Sequence, residues 1–310
     1  MLGMVEGNGH PYSWSAIFNG YDPVAMAECP YPVIPRYLGN EPPEAFGFPG
    51  ARVTHVWCDQ RRDSEQVARA ARIPKVVARP EEVIGEVDAV LIATDIGSEH
   101  VARARPFLEA GIPVFIDKPL CDSVEDLRWF LDHHRKGRRF LSSSCLRYCR
   151  EYSVLSRNLS ELGDLRLITM TMSKAWERYG IHALEGVYPI LPPGGWLDLV
   201  NTGEGGSNMV HVRHGSGVEV HIAVIHDLQG AFGCLNLHGT RGSTGATFGD
   251  TFAAFKAQLS AFVDYLRDGK PPFPFEETVE LITLLIAGIR SRNQGGRRVS
   301  LSEIHEELRP

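Results

Sequence analysis

Asp88-Ala89-Val90-Leu91-Ile92-Ala93-Thr94 is the stretch on which the fold turns. It is a short apolar run without the in–out alternation of a half-solvated strand, the pattern of a strand buried on both faces. Working outward, strand and helix alternate on either side. Downstream, Ser98–Ala110 has helical spacing and stops at Gly111, a helix-ending glycine. Val114–Asp117 follows as a strand, Ser123–Lys136 as a helix and Phe140–Ser144 as a last strand. Upstream, Arg52–Asp59 reads as a strand, Ser64–Arg72 as a helix and Val76-Val77 as a brief strand. Met1–Glu6 is a short apolar strand running into Gly7-Asn8-Gly9, and Trp14, Ile17 and Phe18 recur at helical spacing behind it. Strands that alternate with helices pair in parallel through right-handed crossovers, so residues 1–147 are expected to form a doubly wound parallel sheet.

Composition sets the outer bounds. The 310 residues correspond to about two domains. With 43 % hydrophobic and 23 % charged residues, the chain is an ordinary globular one, not a disordered or fibrous one. A net charge of −6 argues against a nucleic-acid-binding surface. The longest apolar runs, Ala89–Ala93 and Leu281–Gly288, are far below the roughly 20 residues of a membrane helix. The opening residues read as a strand and not as a signal peptide. The six cysteines (29, 58, 121, 145, 149 and 234) lack a C-x-x-C pair. They read as reduced thiols, and the expected location is the cytoplasm.

Two regions break the alternation. Tyr21–Pro49 holds seven prolines between the first helix and the second strand, and reads as a long irregular insertion over about 21–50. A loop of that length either covers a site or packs as a surface excursion. Beyond Tyr148, Leu165–Lys174, Ser207–His214, Val218–Asp227 and Ala231–Gly239 have strand character and no helices between them. Residues 148–310 are therefore expected to form an α+β domain with an open antiparallel sheet. Its tail carries an amphipathic helix with Phe252, Phe255, Leu259, Phe262 and Leu266 on one face, behind Asp250 and Thr251 as caps. A second helix spans about Glu277–Arg292, and these helices are placed where they can pack back on the first domain.

Gly7-x-Gly9 between a strand and a helix is where a diphosphate is held, because glycine lets the backbone approach and the helix end offers N–H donors. Tyr12 stands where a third glycine packs helix on strand, and Glu6 must point away from any phosphate. Asp59 ends the second strand, where a carboxylate accepts the ribose hydroxyls of NAD. Arg61 and Arg62 follow it and suit a 2′-phosphate, so NADP stays open beside NAD. The long interval from Gly7 to Asp59 is filled by the proline-rich insertion.

Asp117-Lys118-Pro119 at a strand end resembles the Glu-Lys-Pro motif of the glucose–fructose oxidoreductase/inositol dehydrogenase family (Gfo/Idh/MocA). Ala93-Thr94 followed by His100 resembles that family's loop beside the nicotinamide, with Asp95 and Ile96 where Pro and Asn are common. Cys145-Leu146-Arg147-Tyr148 resembles its crossover into the second domain. Phe255–Phe262, Asp268-Gly269-Lys270-Pro271-Pro272 and Gly295–Leu301 are similar to its tail. The resemblance implies a Rossmann domain plus an open-faced α+β domain, with NAD or NADP as cofactor. The implied substrate is a sugar, cyclitol or related hydroxy compound, and the implied assembly a homodimer or homotetramer through the C-terminal sheet. On it, Gly7, Asn8, Gly9, His10, Asp59, Thr94, His100, Lys118 and Pro119 are the expected cofactor contacts.

Oxidising a secondary alcohol needs a group for the O–H proton while hydride leaves for the nicotinamide. Lys118, at the C-terminal end of a parallel strand, is placed to steady a developing alkoxide. A solvated lysine before a turn-forming proline is the competing reading. Glu177-Arg178-Tyr179-Gly180-Ile181-His182 resembles the family's Asp-x-x-x-His, with His182 matching the acid/base histidine and Arg178 where the aspartate stands. His182 suits proton exchange near neutrality, against the reading of a buried structural histidine at a helix start. Tyr179 is a second proton source. Glu177 or Glu185 can orient the histidine, and Arg147, Arg178 and Glu177 are the expected substrate contacts. No metal site is expected, since the scattered histidines 211, 214, 221, 226 and 238 read as solvated or structural. The leading expectation is an NAD(P)-dependent alcohol–ketone oxidoreductase of a small molecule. A cofactor-recycling lyase or glycosidase and a non-catalytic dinucleotide-binding protein are the alternatives.

Overall fold

A computed structural model describes residues 1–157, 159–204 and 206–309. In its first half β1 (His55–Val56) pairs in parallel with β2 (Lys75–Val76). A second parallel ladder joins β3 (Val90–Ile92), β4 (Val114–Ile116) and β5 (Phe140–Ser142). Leu2 sits between the two ladders, bridging Trp57 on one side and Ile92 on the other. Its N–H donates to Leu91 O at 2.8 Å, and the next N–H, of Gly3, donates to Trp57 O at 2.8 Å. The order is thus β2–β1–Leu2–β3–β4–β5, that of a dinucleotide-binding doubly wound sheet. The strand expected over Met1–Glu6 narrows to this bridge, because Gly3 at φ +82° turns the chain out of the ladder at once.

Helices cover both faces: α1 (His10–Asn19), α2 (Pro23–Met26), α3 (Val33–Leu38), α4 (Arg61–Ala70), α5 (His100–Glu109) and α6 (Val124–Arg135). Two of them correct the expectation of an irregular insertion. Asp22 caps α2 by accepting the N–H groups of Val24 and Ala25, both at 2.9 Å, and Pro23 needs no partner at the first helical position. The insertion then lies against the glycine loop. A Cβ on Gly9 would come within 2.5 Å of Ile34 Cδ1 and 2.6 Å of the Tyr31 ring. Gly9 is therefore a packing glycine, pressed from outside the sheet.

The second half begins with α7 (Arg150–Arg157) and builds a seven-stranded sheet from β6 (Leu165–Ser173), β7 (Trp196–Asn201), β8 (Ser207–His214), β9 (Glu219–Ile225), β10 (Cys234–Gly239), β11 (Ser243–Thr247) and β12 (Val299–Ser300). The order is β11–β10–β6–β9–β8–β7–β12, antiparallel except for the central β6–β9 pair. Its inner face packs under α8 (Ile181–Val187) and α10 (Phe275–Asn293), and α11 (Leu301–Leu308) closes the chain. The capped amphipathic helix is α9 (Thr251–Asp268), with Asp250 Oδ1 accepting the Ala253 N–H at 2.9 Å. It packs into the first half: Phe255 meets His10 and Trp14 at ring-centroid distances of 5.1 and 6.1 Å, Phe262 meets Phe115 at 5.5 Å, and Phe252 meets Phe46 at 5.2 Å. Each buried phenylalanine contributes about 1.5–3 kcal/mol, so α9 clamps the two halves across the mouth of the parallel sheet.

Candidate active site

The site forms where the C-terminal ends of Leu2, β3 and β4 face the segment joining β6 to α8. Lys118 lies two residues past β4, with a cis bond to Pro119, and is 2 % exposed. A buried ammonium needs a counter-charge. Asp95, after β3, supplies it with Oδ2 3.3 Å from Lys118 Nζ. The other oxygen of Asp95 accepts from Arg178 Nη2 at 2.6 Å. One buried carboxylate therefore serves two cations, one from each half of the chain. Burial opposes the charge on Lys118, but Asp95 and Asp117 outweigh it and hold the ammonium above the usual lysine range. Burial likewise opposes Asp95, and Lys118 and Arg178 outweigh it to hold the carboxyl well below the usual range.

Across from Lys118 stand Tyr179 and His182. The Lys118 ammonium lies 4.6 Å from the Tyr179 ring centroid, and the Tyr179 and His182 rings are 5.0 Å apart. His182 is 6 % exposed, and its Nδ1 is 2.6 Å from Ser144 Oγ. Burial, then the nearby Lys118 and His10, push the imidazole well below its ordinary value, so His182 is neutral at physiological pH. Ser144 Oγ already accepts the Leu146 N–H at 3.0 Å. Its second lone pair can accept Nδ1–H, which leaves Nε2 with its lone pair. Glu185 does not reach the imidazole; it accepts the Ser144 N–H at 3.1 Å and steadies it through that serine.

The glycine loop is tied to the same strand end. Asn8 Oδ1 accepts the His10 N–H at 2.9 Å, Asn8 Nδ2 donates to Asp117 Oδ2 at 3.1 Å, and His10 Nδ1 is 2.7 Å from that oxygen. These two side chains brace the loop on Asp117, and its backbone is what remains to face a ligand. A dinucleotide fits here on two observations. Gly7 has φ +77°, and a Cβ on it would meet nothing within 4 Å, so the loop is open to close approach. Thr94 Oγ1, two residues past β3, is buried without a partner among the described residues.

Several expected contacts lie elsewhere. His100 is fully buried, with Nδ1 2.8 Å from Pro119 O and Nε2 2.8 Å from Thr94 O. It clips two backbone segments together and offers no face to a cofactor. Arg147 ion-pairs with Glu185 and, at 2.7 Å, with Glu277, while its guanidinium lies 4.1 Å from the Phe273 ring centroid. It joins α8 to α10 instead of meeting substrate. Glu177 is taken by Arg292 of α10. Asp59 is at the expected strand end but pairs with Arg103 at 2.8 Å and accepts the Met4 N–H at 3.1 Å. Sequence reasoning missed Asp95, Ser144 and Lys174. The first had a signal, since Asp95 and Arg178 are paired departures from the family pattern with opposite charges. Among the described residues no cluster of three or more His, Cys, Asp or Glu side chains is arranged to hold a metal ion. No helix there is long and apolar enough to cross a membrane.

Comparison with known proteins agrees with this geometry. Residues 41–143 match the oxidoreductase family with an NAD-binding Rossmann fold, Gfo/Idh/MocA. Inositol 2-dehydrogenase 1 of Saccharopolyspora erythraea is 36 % identical over 105 residues, 33 % of this chain and 31 % of the relative. The chain thus spans about a third of the length of the curated relatives it matches. Solved structures extend the likeness in fold. The myo-inositol 2-dehydrogenase of Lactobacillus plantarum superposes with a TM-score of 0.76 at 13 % identity, covering 96 % of this chain and 98 % of that one. An oxidoreductase from Agrobacterium radiobacter, crystallised with NAD+, L-tartaric acid and magnesium, gives 0.69 at 15 % identity, covering 82 % and 92 %. The parallel sheet and the open glycine loop agree with what residues 41–143 are similar to, the NAD-binding Rossmann fold of the Gfo/Idh/MocA oxidoreductase family.

Proposed function

We propose that the chain is an NAD-dependent dehydrogenase, with NADP as the second candidate, that interconverts a secondary alcohol and a ketone on a sugar, cyclitol or polyol-like substrate. The observation that carries this reading is the meeting of buried Lys118 with Tyr179 and His182 beside the glycine loop. Gly7, Gly9 and Thr94 would hold the dinucleotide, which when bound supplies a hydride acceptor or donor. The chain's own residues govern the oxygen. Lys118, locked as an ammonium by Asp95, serves as the electrostatic anchor of an alkoxide and not as the base. Neutral His182, with Nδ1–H on Ser144 Oγ, takes the O–H proton on Nε2 in oxidation, and the imidazolium so formed returns it in reduction. Tyr179 fills the space between the two and keeps water from Lys118.

The partition at 147/148 is part of this reading, with the cofactor on one side and the substrate on the other. So is self-association through the outer face of the seven-stranded sheet, where Met209, His211, His221 and Ala223 stand side by side on β8 and β9. The test is calorimetric titration with NAD+ and NADP+, followed by turnover assays on neutral cyclitols and polyols. Lys118→Met is expected to keep dinucleotide binding and lower kcat by about 100- to 1000-fold. Absence of binding to either dinucleotide, or full activity in Lys118→Met, overturns the proposal.

A further inference from the structure

One charged side chain at the site has no part in that mechanism. Lys174, the residue after β6, sits at φ +69°, in the left-handed region that non-glycine residues rarely occupy. From there its Nζ reaches Tyr179 Oη at 2.6 Å and Gly7 O at 3.4 Å. No carboxylate pairs with it among the described residues, in contrast to Lys118 and Arg178, which share Asp95. Arg178 makes a parallel reach, Nη2 lying 3.3 Å from Glu6 O, and its Nε is buried without a partner among the described residues. Two cations from the second half of the chain thus extend over the glycine loop of the first. The acceptors they find there are uncharged carbonyls at the long end of hydrogen-bond range, poor partners for charged donors. Around Tyr179, three cations (Lys118, Lys174 and Arg178) face two buried carboxylates, Asp95 and Asp117, and the N-terminus of α1 adds its positive dipole end.

We propose that Lys174 and Arg178 form a cross-domain clamp for an anionic group lying between the glycine loop and the end of β6. The group is either the diphosphate of the dinucleotide or a carboxylate on the substrate, which would make the substrate an acidic sugar or polyol. The inference rests on the function proposed above. Anionic oxygens give both side chains the short, charge-assisted bonds that the loop carbonyls do not. The clamp also gives a reason for a lysine at a left-handed position: the charge is worth more there than the relief a glycine would bring.

The test uses Lys174→Gly, which suits φ +69° and removes the charge, Lys174→Asn as a second neutral variant that tolerates the same backbone, and Lys174→Arg, which keeps the charge. Calorimetry measures NAD+ and ADP-ribose, which carries the diphosphate without nicotinamide. Steady-state kinetics then compare a neutral polyol with its carboxylated counterpart, and melting temperatures check the fold. Both neutral variants should weaken at least one arm about tenfold, with Lys174→Arg near wild type and a flatter salt dependence in the neutral variants. Weaker NAD+ and ADP-ribose binding assigns the clamp to the diphosphate. A raised KM confined to the carboxylated substrate assigns it to the substrate. Neutral variants that fold and match wild type in both arms overturn the clamp. Wild-type protein that binds neither NAD+ nor ADP-ribose overturns the function it rests on.

Discussion

Two buried ion clusters flank α8, and they are wired in opposite ways. On one side Arg147 stands between two carboxylates, Glu185 and Glu277. On the other, Asp95 stands between two cations, Lys118 and Arg178. In the first, burial pushes the Glu185 carboxyl up even though Arg147 and the Ser144 N–H pull it down. In the second, the cations overcome burial, and Asp95 is held well below its ordinary range. The acidic cluster is sealed by Tyr188 and Phe273 and ties Arg147, at the end of the first half, to α8 and α10. The cationic cluster crosses between the halves and leaves positive charge beside the glycine loop. One cluster is mortar and the other is poised for a negatively charged oxygen.

The largest expected effect follows from breaking the cationic cluster at the carboxylate that Lys118 and Arg178 share. Asp95→Asn leaves the buried Lys118 ammonium facing half-buried Arg178, and stability should fall by about 3–5 kcal/mol. The double variant Asp95→Asn/Lys118→Met should recover a large part of that loss while staying inactive, because the unpaired charge and not the missing contact is what costs. Denaturant titration of the four members of the cycle measures the coupling. A double variant no more stable than Asp95→Asn would show that the cluster is not electrostatically coupled. Glu185→Gln is the matching experiment on the other cluster. Arg147 keeps Glu277, so the expected loss is smaller, about 1–3 kcal/mol. Glu185 also steadies Ser144, so kcat should drop with little change in NAD+ binding.

Much of the fold that carries these clusters was legible in the sequence, and the reason is physical. The run Asp88–Thr94 can be stable only if buried on both faces, which demands helices on both sides and hence the parallel sheet. Asp250 before a phenylalanine stripe announced α9 in the same way. Lys118, Tyr179 and His182 could be singled out from sequence because their motifs lie at the ends of such elements, and the fold brings the three side chains together. His100, Arg147 and Glu177 were assigned to ligands, whereas each is held by a protein partner, and for Arg147 and Glu177 that partner is distant in sequence. Arg147 meets Glu277 and Glu177 meets Arg292 across more than a hundred residues. The strands β7, β11 and β12 escaped because β11 and β12 lie at or near the sheet edges and are short or rich in Gly, Ser and Thr, and β7 is interrupted by a bulge at Trp196/Asp198.

The pH response separates His182 from its surroundings. Its pKa in the folded state is depressed, so between the ordinary histidine value near 6.5 and that lower value the unfolded chain binds more protons. Stability therefore falls as pH falls below about 6.5, with a slope of up to about 1.4 kcal/mol per pH unit from this residue alone. Above about 6.5 both states are neutral there and the contribution vanishes. His182→Gln should flatten the acid side of a stability–pH curve. If the variant's slope matches wild type, another group sets the acid limit.

The smallest expected effect comes from Glu177, one residue before Arg178 on the same turn. Its carboxylate pairs with Arg292, and the two side chains are 34 % and 25 % exposed, so solvent screens most of the attraction. Arg292 also donates to Asn208 Oδ1 at 3.1 Å and keeps a partner when Glu177 is neutralised. Glu177→Gln should thus cost about 0.2–1 kcal/mol. The kinetic expectation is sharper. If the turn from Trp176 to Gly180 is held in place mainly by Arg178 on Asp95 and by buried Trp176, whose Nε1–H donates to Leu285 O at 3.0 Å, then kcat and KM should both stay within twofold of wild type. A KM shift well beyond that, without loss of stability, would place Glu177 at the substrate after all. It would also mean that the positive charge of the site is partly balanced from the solvent side, weakening the contrast between the two clusters.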